Sequence, residues 1–141
     1  MSFFFITSDF SILCTGFNDS GQLGLGDKED RKEMTKIESN QRFVAISCGY
    51  NHTIALDNEG NLYSCGNNRF GQLGLGDYTD RDTMEKIKSD KIFVAIACGV
   101  HHTTVLDDQG NIYYFGRQLC DNKVFANKMK QIESDKFFVA I

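Results

Sequence analysis

The sequence predicts an all-β fold: four-stranded antiparallel blades of a partial β-propeller, about three blades in an incomplete ring. Three observations lead there. Segments recur at a step of 50 residues, with Gly21 repeated as Gly71, Asp27 as Asp77, Cys48 as Cys98, His52 as His102 and Gly60 as Gly110. Short apolar runs are separated by glycine and Asx turn chemistry. No apolar stripe of helical period survives beyond two turns.

Each repeat is built from the same pieces. The run FVAISC at 43–48 is apolar on both alternating faces, with Val44, Ile46 and Cys48 on one and Phe43 and Ala45 on the other. Such a run predicts a strand covered on both sides. HTIALD at 52–57 is a second run. DNEG at 57–60 supplies a turn in which Gly60 can take positive φ. NLYSCG is a third strand. A long loop carrying GQLGLGD at 71–77 follows, then a short strand around MEKI at 84–87. Four short antiparallel strands cannot bury both faces alone. Stacked units can, and a period of about 40–50 residues is the range of propeller blades.

The repeat frame divides a single repeat domain, 1–141, into three segments. Residues 1–42 form a degenerate, N-terminally truncated unit, 43–92 a full unit, and 93–141 a unit that has lost its glycine box. In the first, Phe10 stands where Gly60 and Gly110 predict glycine. In the third, five residues are missing between Gly116 and Asn127, and QLCDNK replaces the box. Met1 aligns with Asn51, so the first unit lacks its first strand. The final FVAI at 138–141 aligns with that missing strand.

The glycine box has a structural explanation. Leu73 and Leu75 serve as apolar pins, while Gly71, Gly74 and Gly76 allow tight bends and close backbone approach. A phosphate loop requires Gly-Lys-Ser/Thr and a following helix; here Asp77 follows the last glycine.

Composition narrows the function. With 141 residues, 24% charged and a net charge of −4, the chain is an ordinary globular type without the cationic surplus of a nucleic-acid binder. No apolar run approaches the ~20 residues of a membrane span. The opening MSFFFITSDF has no basic region before its apolar stretch, and the cysteine count of five is odd. Both predict reduced thiols in an intracellular setting, cytoplasmic or nuclear.

No cofactor, metal site or catalytic residue is expected. Cys48 with His52 and Cys98 with His102 have ligand-like spacing, but occupy equivalent places in different blades and should not converge on one zinc. The expectation is that both cysteines pack as small apolar residues and both histidines bond to nearby backbone. DYTDRDTME at 77–85 lacks the glycine and the final glutamate of a calcium loop, and reads as a solvated acidic loop. Cys120 reads as an exposed thiol with nothing near it to activate it.

CGYNHTIAL, GNLYSCGNNRFGQLGLGD and the period of about 50 residues resemble the regulator of chromosome condensation repeat family, over nearly the whole chain. The resemblance implies propellers of seven four-stranded blades. Its best-known member exchanges guanine nucleotide on the Ran GTPase while held on chromatin. Other members are regulatory or interaction modules, often fused to kinase, ubiquitin-ligase or membrane-linked domains, and a bacterial branch inhibits β-lactamases. This chain departs in its low repeat number, its degenerate first unit, its lost third box, and Met34 and Met84 at sites where the family has proline.

The functional expectation is a non-enzymatic protein-interaction module with a protein partner, self-assembling in one reading. The alternative is a guanine-nucleotide exchange factor, or a remnant of one, for a Ran-like small GTPase. Self-assembly would join chains head to tail, each C-terminal strand completing the next chain's first blade; the other reading of the open array is a partial gene product. Strand alternation places the loops at 49–52 and 67–82 on one side and the turns at 57–60 and 88–91 on the other. The first side carries Tyr50, Arg69, Phe70 and Tyr78, extended by Val100, His101 and Arg117. These are the partner-contact candidates, because aromatic and arginine side chains dominate contact hot spots. Ordinary loop packing is the competing explanation for Phe70, and His101 reads as a surface residue.

Overall fold

The computed structural model describes residues 1–118 and 125–133. Cys120 and the FVAI segment at 138–141 lie outside them. The described residues form eleven strands and no helix, in three antiparallel sheets. The first sheet holds β1 (Ser2–Ile6), β2 (Ile12–Gly16) and β3 (Arg31–Lys36). The second holds β4 (Phe43–Cys48), β5 (His52–Asp57), β6 (Leu62–Gly66) and β7 (Arg81–Lys86). The third holds β8 (Phe93–Cys98), β9 (His102–Asp107), β10 (Ile112–Arg117) and β11 (Phe125–Gln131). Each sheet is a meander whose neighbours in sequence are neighbours in space, the arrangement of a propeller blade.

Two apolar clusters lie in the two seams between blades. Ile12, Cys14, Leu23 and Ile37 of the first blade meet Phe43, Ala55 and Tyr63 of the second. Ile54, Leu56, Leu62 and Ile87 of the second meet Phe93, Val105, Tyr113 and Phe115 of the third. Burial peaks in the middle blade, where every residue of β5 and β6 is inaccessible, because that blade alone has a neighbour on both faces among the described residues.

The expectation for FVAISC is corrected here. The strand covered on both sides is β5, not β4. Phe43 pairs with Asp57 and Ala45 with Leu56, so Val44 is the extra residue of a β-bulge. The bulge breaks the alternation, and β4 is also a sheet edge, which leaves Val44 exposed; Val94 repeats this in β8. Cys48 is likewise exposed rather than packed inside, whereas Cys14 and Cys65 are buried.

The hairpin turns show what the first unit lost. Asp57 is buried and accepts hydrogen bonds from the Glu59 and Asn61 amides, the Asn61 side chain and the Tyr63 hydroxyl. Gly60 closes this turn at φ +84° and Gly110 its copy at +85°. In the first blade Thr7 replaces the aspartate, and Phe10 itself is forced to φ +65°. It is the one non-glycine residue with positive φ among the described residues. The Arg42 guanidinium lies 4.4 Å from its ring centre.

The glycine box is a clamp between blades. The Gly26 amide donates to the Asp82 carbonyl at 2.8 Å, and Leu25 bridges to Thr83, both on the next blade's outer strand. The Gly76 amide donates to the Asn127 carbonyl in the same way, also at 2.8 Å. Leu23 and Leu73 are fully buried beneath, and Leu25 and Leu75 pack less deeply. A Cβ on Gly71 would stand 2.6 Å from the Asn127 Cα, so the close approach itself requires glycine.

Candidate functional site

The side of the blades that carries the 49–51 and 67–80 loops is built on a buried polar scaffold. Asn68 organises the long loop of the second blade. Its side-chain amide donates to the Asp77 carbonyl and carboxylate and to the Thr79 carbonyl, its Oδ1 accepts the Leu73 amide, and its own amide donates to Asp80. Asn18 repeats the pattern with Asp27, Glu29, Leu23 and Asp30. Arg81 pairs with Asp77 at 2.7 Å and with Glu85 at 2.9 Å. These bonds, Arg81 first, hold the Asp77 carboxyl below its ordinary range despite the cost of burial. The acidic loop is therefore a stapled turn, and its carboxylates are engaged rather than merely solvated.

A second set of bonds ties blade to blade. Thr53 donates to the Gln22 carbonyl at 2.7 Å and Thr103 to the Gln72 carbonyl at 2.9 Å. His52, 1% exposed, reaches the Thr103 hydroxyl through Nε2 at 3.0 Å. Its side chain thus bonds across the seam to a hydroxyl, not to nearby backbone. Gly49 makes room for that ring: a Cβ there would come within 2.1 Å of the His52 Cε1. The Cys-Gly-x-x-His spacing serves packing. No group of three or more metal-ligating side chains occurs among the described residues.

Above the second seam the surface changes character. Phe70 lies at the centre of a cluster drawn from five segments. Its ring is 4.8 Å from that of His101 and 5.2 Å from that of Phe125. The Arg117 and Arg69 guanidiniums stand 5.5 and 5.8 Å from its centre, within cation–π reach. Tyr50 meets His101 edge-on at 6.3 Å, and its amide donates to the Val100 carbonyl at 3.2 Å. Tyr50 and Val100 are 72% and 59% exposed. Among the described residues neither Arg69 nor Arg117 enters an ion pair. Burial, then the Arg117 and His102 charges, lowers the His101 imidazole below the usual histidine range, so it faces the cluster uncharged at neutral pH.

Six of the seven residues singled out from sequence thus meet: Tyr50, Arg69, Phe70, Val100, His101 and Arg117. Tyr78 is exposed on the same long loop, without a ring contact to the cluster among the described residues. Phe70 is half-buried under its neighbours, and His101 is held between two rings rather than standing free. Phe125 was missed. It sits opposite Arg117 across β10 and β11, a register hidden by the five residues missing from the third unit.

The first seam carries a different rim on the same backbone. Asp19 takes the place of Arg69, Ser20 of Phe70, Asn51 of His101 and Asn67 of Arg117. There the surface opens as a cleft of about 620 Å³ lined by Phe17, Asp19, Gln22, Tyr50 and Asn51 among others.

Comparison with known families matches residues 11–56 and 59–106 to the Regulator of chromosome condensation (RCC1) repeat, and a second pattern of the same description matches 43–72. The chain belongs to the RCC1 repeat family. Among curated proteins, F-box only protein 24 of Mus musculus is 44% identical over 59 residues, 39% of this chain and 10% of its own. The E3 ubiquitin-protein ligase HERC2 of Homo sapiens is 37% identical over 67 residues, 45% of this chain and 1% of its own. The Protein RCC2 homolog of Danio rerio is 40% identical over 63 residues, 43% of this chain and 13% of its own.

Two solved structures show the same fold. Human WBSCR16 superposes with a TM-score of 0.83 at 20% identity over 94% of this chain and 35% of that one. Prp20p of Saccharomyces cerevisiae superposes with a TM-score of 0.83 at 22% identity over 95% and 36%. This chain therefore spans about a third of those propellers and a small fraction of the curated relatives. The blades are RCC1 repeats, and the described arc is no closed ring.

Proposed function

We propose that the chain is a non-enzymatic protein-interaction module that takes a protein partner on the rim of its second seam. We also take 1–42, 43–92 and 93–141 as its three repeat units within one domain. The observation that supports the interaction reading is the exposed cluster around Phe70. Aromatic and arginine side chains are pre-packed there on a rigid sheet framework, in the composition that dominates contact hot spots. The buried Asn68 hub and the Thr103–Gln72 bond hold this geometry whether or not a partner is present.

Affinity capture with the full chain, followed by variants, tests the reading. Tyr50→Ala with Phe70→Ala should release the captured partner while the melting temperature falls by only a few degrees. Equal capture by the double variant overturns it.

A second reading, nucleotide exchange toward a Ran-like GTPase, draws on the likeness to Prp20p, a structure solved with its binding properties to Gsp1p and histones. A nucleotide-release assay with a panel of small GTPases separates the two: acceleration above background would favour exchange. Self-assembly has its own support. Phe3 and Phe5 are exposed at the positions that Thr53 and Ala55 bury against a preceding blade in the second unit. Light scattering tests it, and a monomer at all concentrations refutes it.

A further inference from the structure

We propose that the second-seam rim recognises a short acidic segment of its protein partner, with a carboxylate between Arg69 and Arg117 and an adjacent apolar side chain on Tyr50 and Val100. The inference rests on the interaction reading above and gives it a partner chemistry.

Three observations carry it. The first is unspent charge. In a chain of net charge −4, two guanidiniums converge on one ring, and neither finds a carboxylate among the described residues. Both guanidiniums lie within cation–π reach of Phe70, and a guanidinium has five N–H donors with which to grip a carboxylate in a two-point bond. The contact with Phe70 favours arginine conformers near the ring, which lowers the side-chain freedom to be lost on binding.

The second is the comparison inside the chain. The backbone scaffold at the first seam is the same, yet Asp19, Ser20, Asn51 and Asn67 occupy the corresponding places. The blade geometry does not demand arginine and phenylalanine there. Their presence at one seam alone is a property of that rim, not of the fold.

The third is what surrounds the patch. The long loop that presents Arg69 and Phe70 also carries Asp77 and Asp80. An extended polyanion such as RNA would have to run over these carboxylates. A segment with one or two acidic residues reaches the arginines without meeting them. The apolar neighbours Tyr50 and Val100 give such a peptide, but not a phosphate chain, a surface for its side chains.

Fluorescence anisotropy with the full chain tests this. The probes are a fluorescein-labelled twelve-residue peptide of serine, glycine and leucine with two glutamates at its centre, the same peptide with lysine for glutamate, and a twelve-nucleotide oligouridine. The acidic peptide should bind, and the other two should not. Arg69→Gln or Arg117→Gln should each weaken it about fivefold, the size of an exposed ion pair, and R69E with R117E by more than about tenfold. Added salt should weaken the wild type more than either variant. A thermal melt of each variant separates loss of binding from loss of folding.

No binding of the acidic peptide below about 1 mM, stronger binding of the lysine peptide or the oligouridine, or indifference to the arginine substitutions overturns the proposal. If a captured partner is lost with Phe70→Ala but kept with R69E and R117E, the rim is an interface of another chemistry and only this inference falls. If it is kept by both, the interaction reading falls too.

Discussion

Acid should loosen the seam between the second and third blades through His52. The Thr103 hydroxyl gives its single proton to the Gln72 carbonyl, so toward His52 it can only accept. His52 therefore carries its proton on Nε2. Among the described residues its Nδ1 is buried without a partner, and a proton added there would be a buried charge with no acceptor among them. Burial, helped by the His101 and His102 charges, takes the imidazole down to about 4 from the ordinary 6.5. The sign follows. Below about pH 6.5 the unfolded chain binds a proton that the folded chain refuses, so stability falls as the pH falls and levels off near 4. At 1.36 kcal/mol per pKa unit the full difference is about 3 kcal/mol.

Urea denaturation between about pH 7 and pH 4.5, on wild type and His52→Gln, measures this. Glutamine can still donate to Thr103 but does not titrate. His101 and His102, also lowered, act equally in both proteins. Asp27, Asp57, Asp77 and Asp107 are lowered too, but their contribution is lost only below about pH 4, outside the window. Wild type should lose about 2 kcal/mol more than the variant across the range. Parallel loss in the two proteins would refute the assignment of the titration to His52 and the Nε2 tautomer with it.

Phe10→Gly should stabilise the chain. Relief of a left-handed non-glycine residue returns about 1–2 kcal/mol, and the lost Arg42 contact takes back about 0.5–1. A melting temperature below wild type would show that the Phe10–Arg42 contact outweighs the backbone strain. Gly71→Ala and Gly76→Ala separate sterics from φ. Both have positive φ, but only at Gly71 does the added methyl meet backbone, at 2.6 Å; at Gly76 it meets the Lys128 side chain at 3.3 Å. Gly71→Ala should cost over ~2 kcal/mol and Gly76→Ala about 1. Equal losses by thermal denaturation would show that backbone conformation alone sets both.

The blades were legible because their signals are local: apolar runs, DNEG-type turns and a fixed step along the chain. So was the meeting of six residues at one rim, since alternation decides which loops share a side. What escaped depends on pairing across distance. The bulge at Val44 has no sequence mark, because valine serves equally in and out of register. The His52 partner lies 51 residues away, on the next blade. Phe125 joined the rim through a register that a shortened loop had disguised. The acidic loop looked solvated because nothing local says that Asn68 and Arg81 fold back onto Asp77. The exposed Cys48 and the covered β5 were exchanged for one reason: a sheet edge and a sheet centre can carry equally apolar text.

That both seams share a hidden framework yet wear opposite chemistry on top has an implication for change. Asparagine hubs and glycine clamps sit below; four variable positions sit above them. Rewriting those four at one junction leaves its neighbour's wording intact. A chain of such junctions behaves as a row of separately adjustable sockets, and a new preference can arise at one without renegotiating the rest.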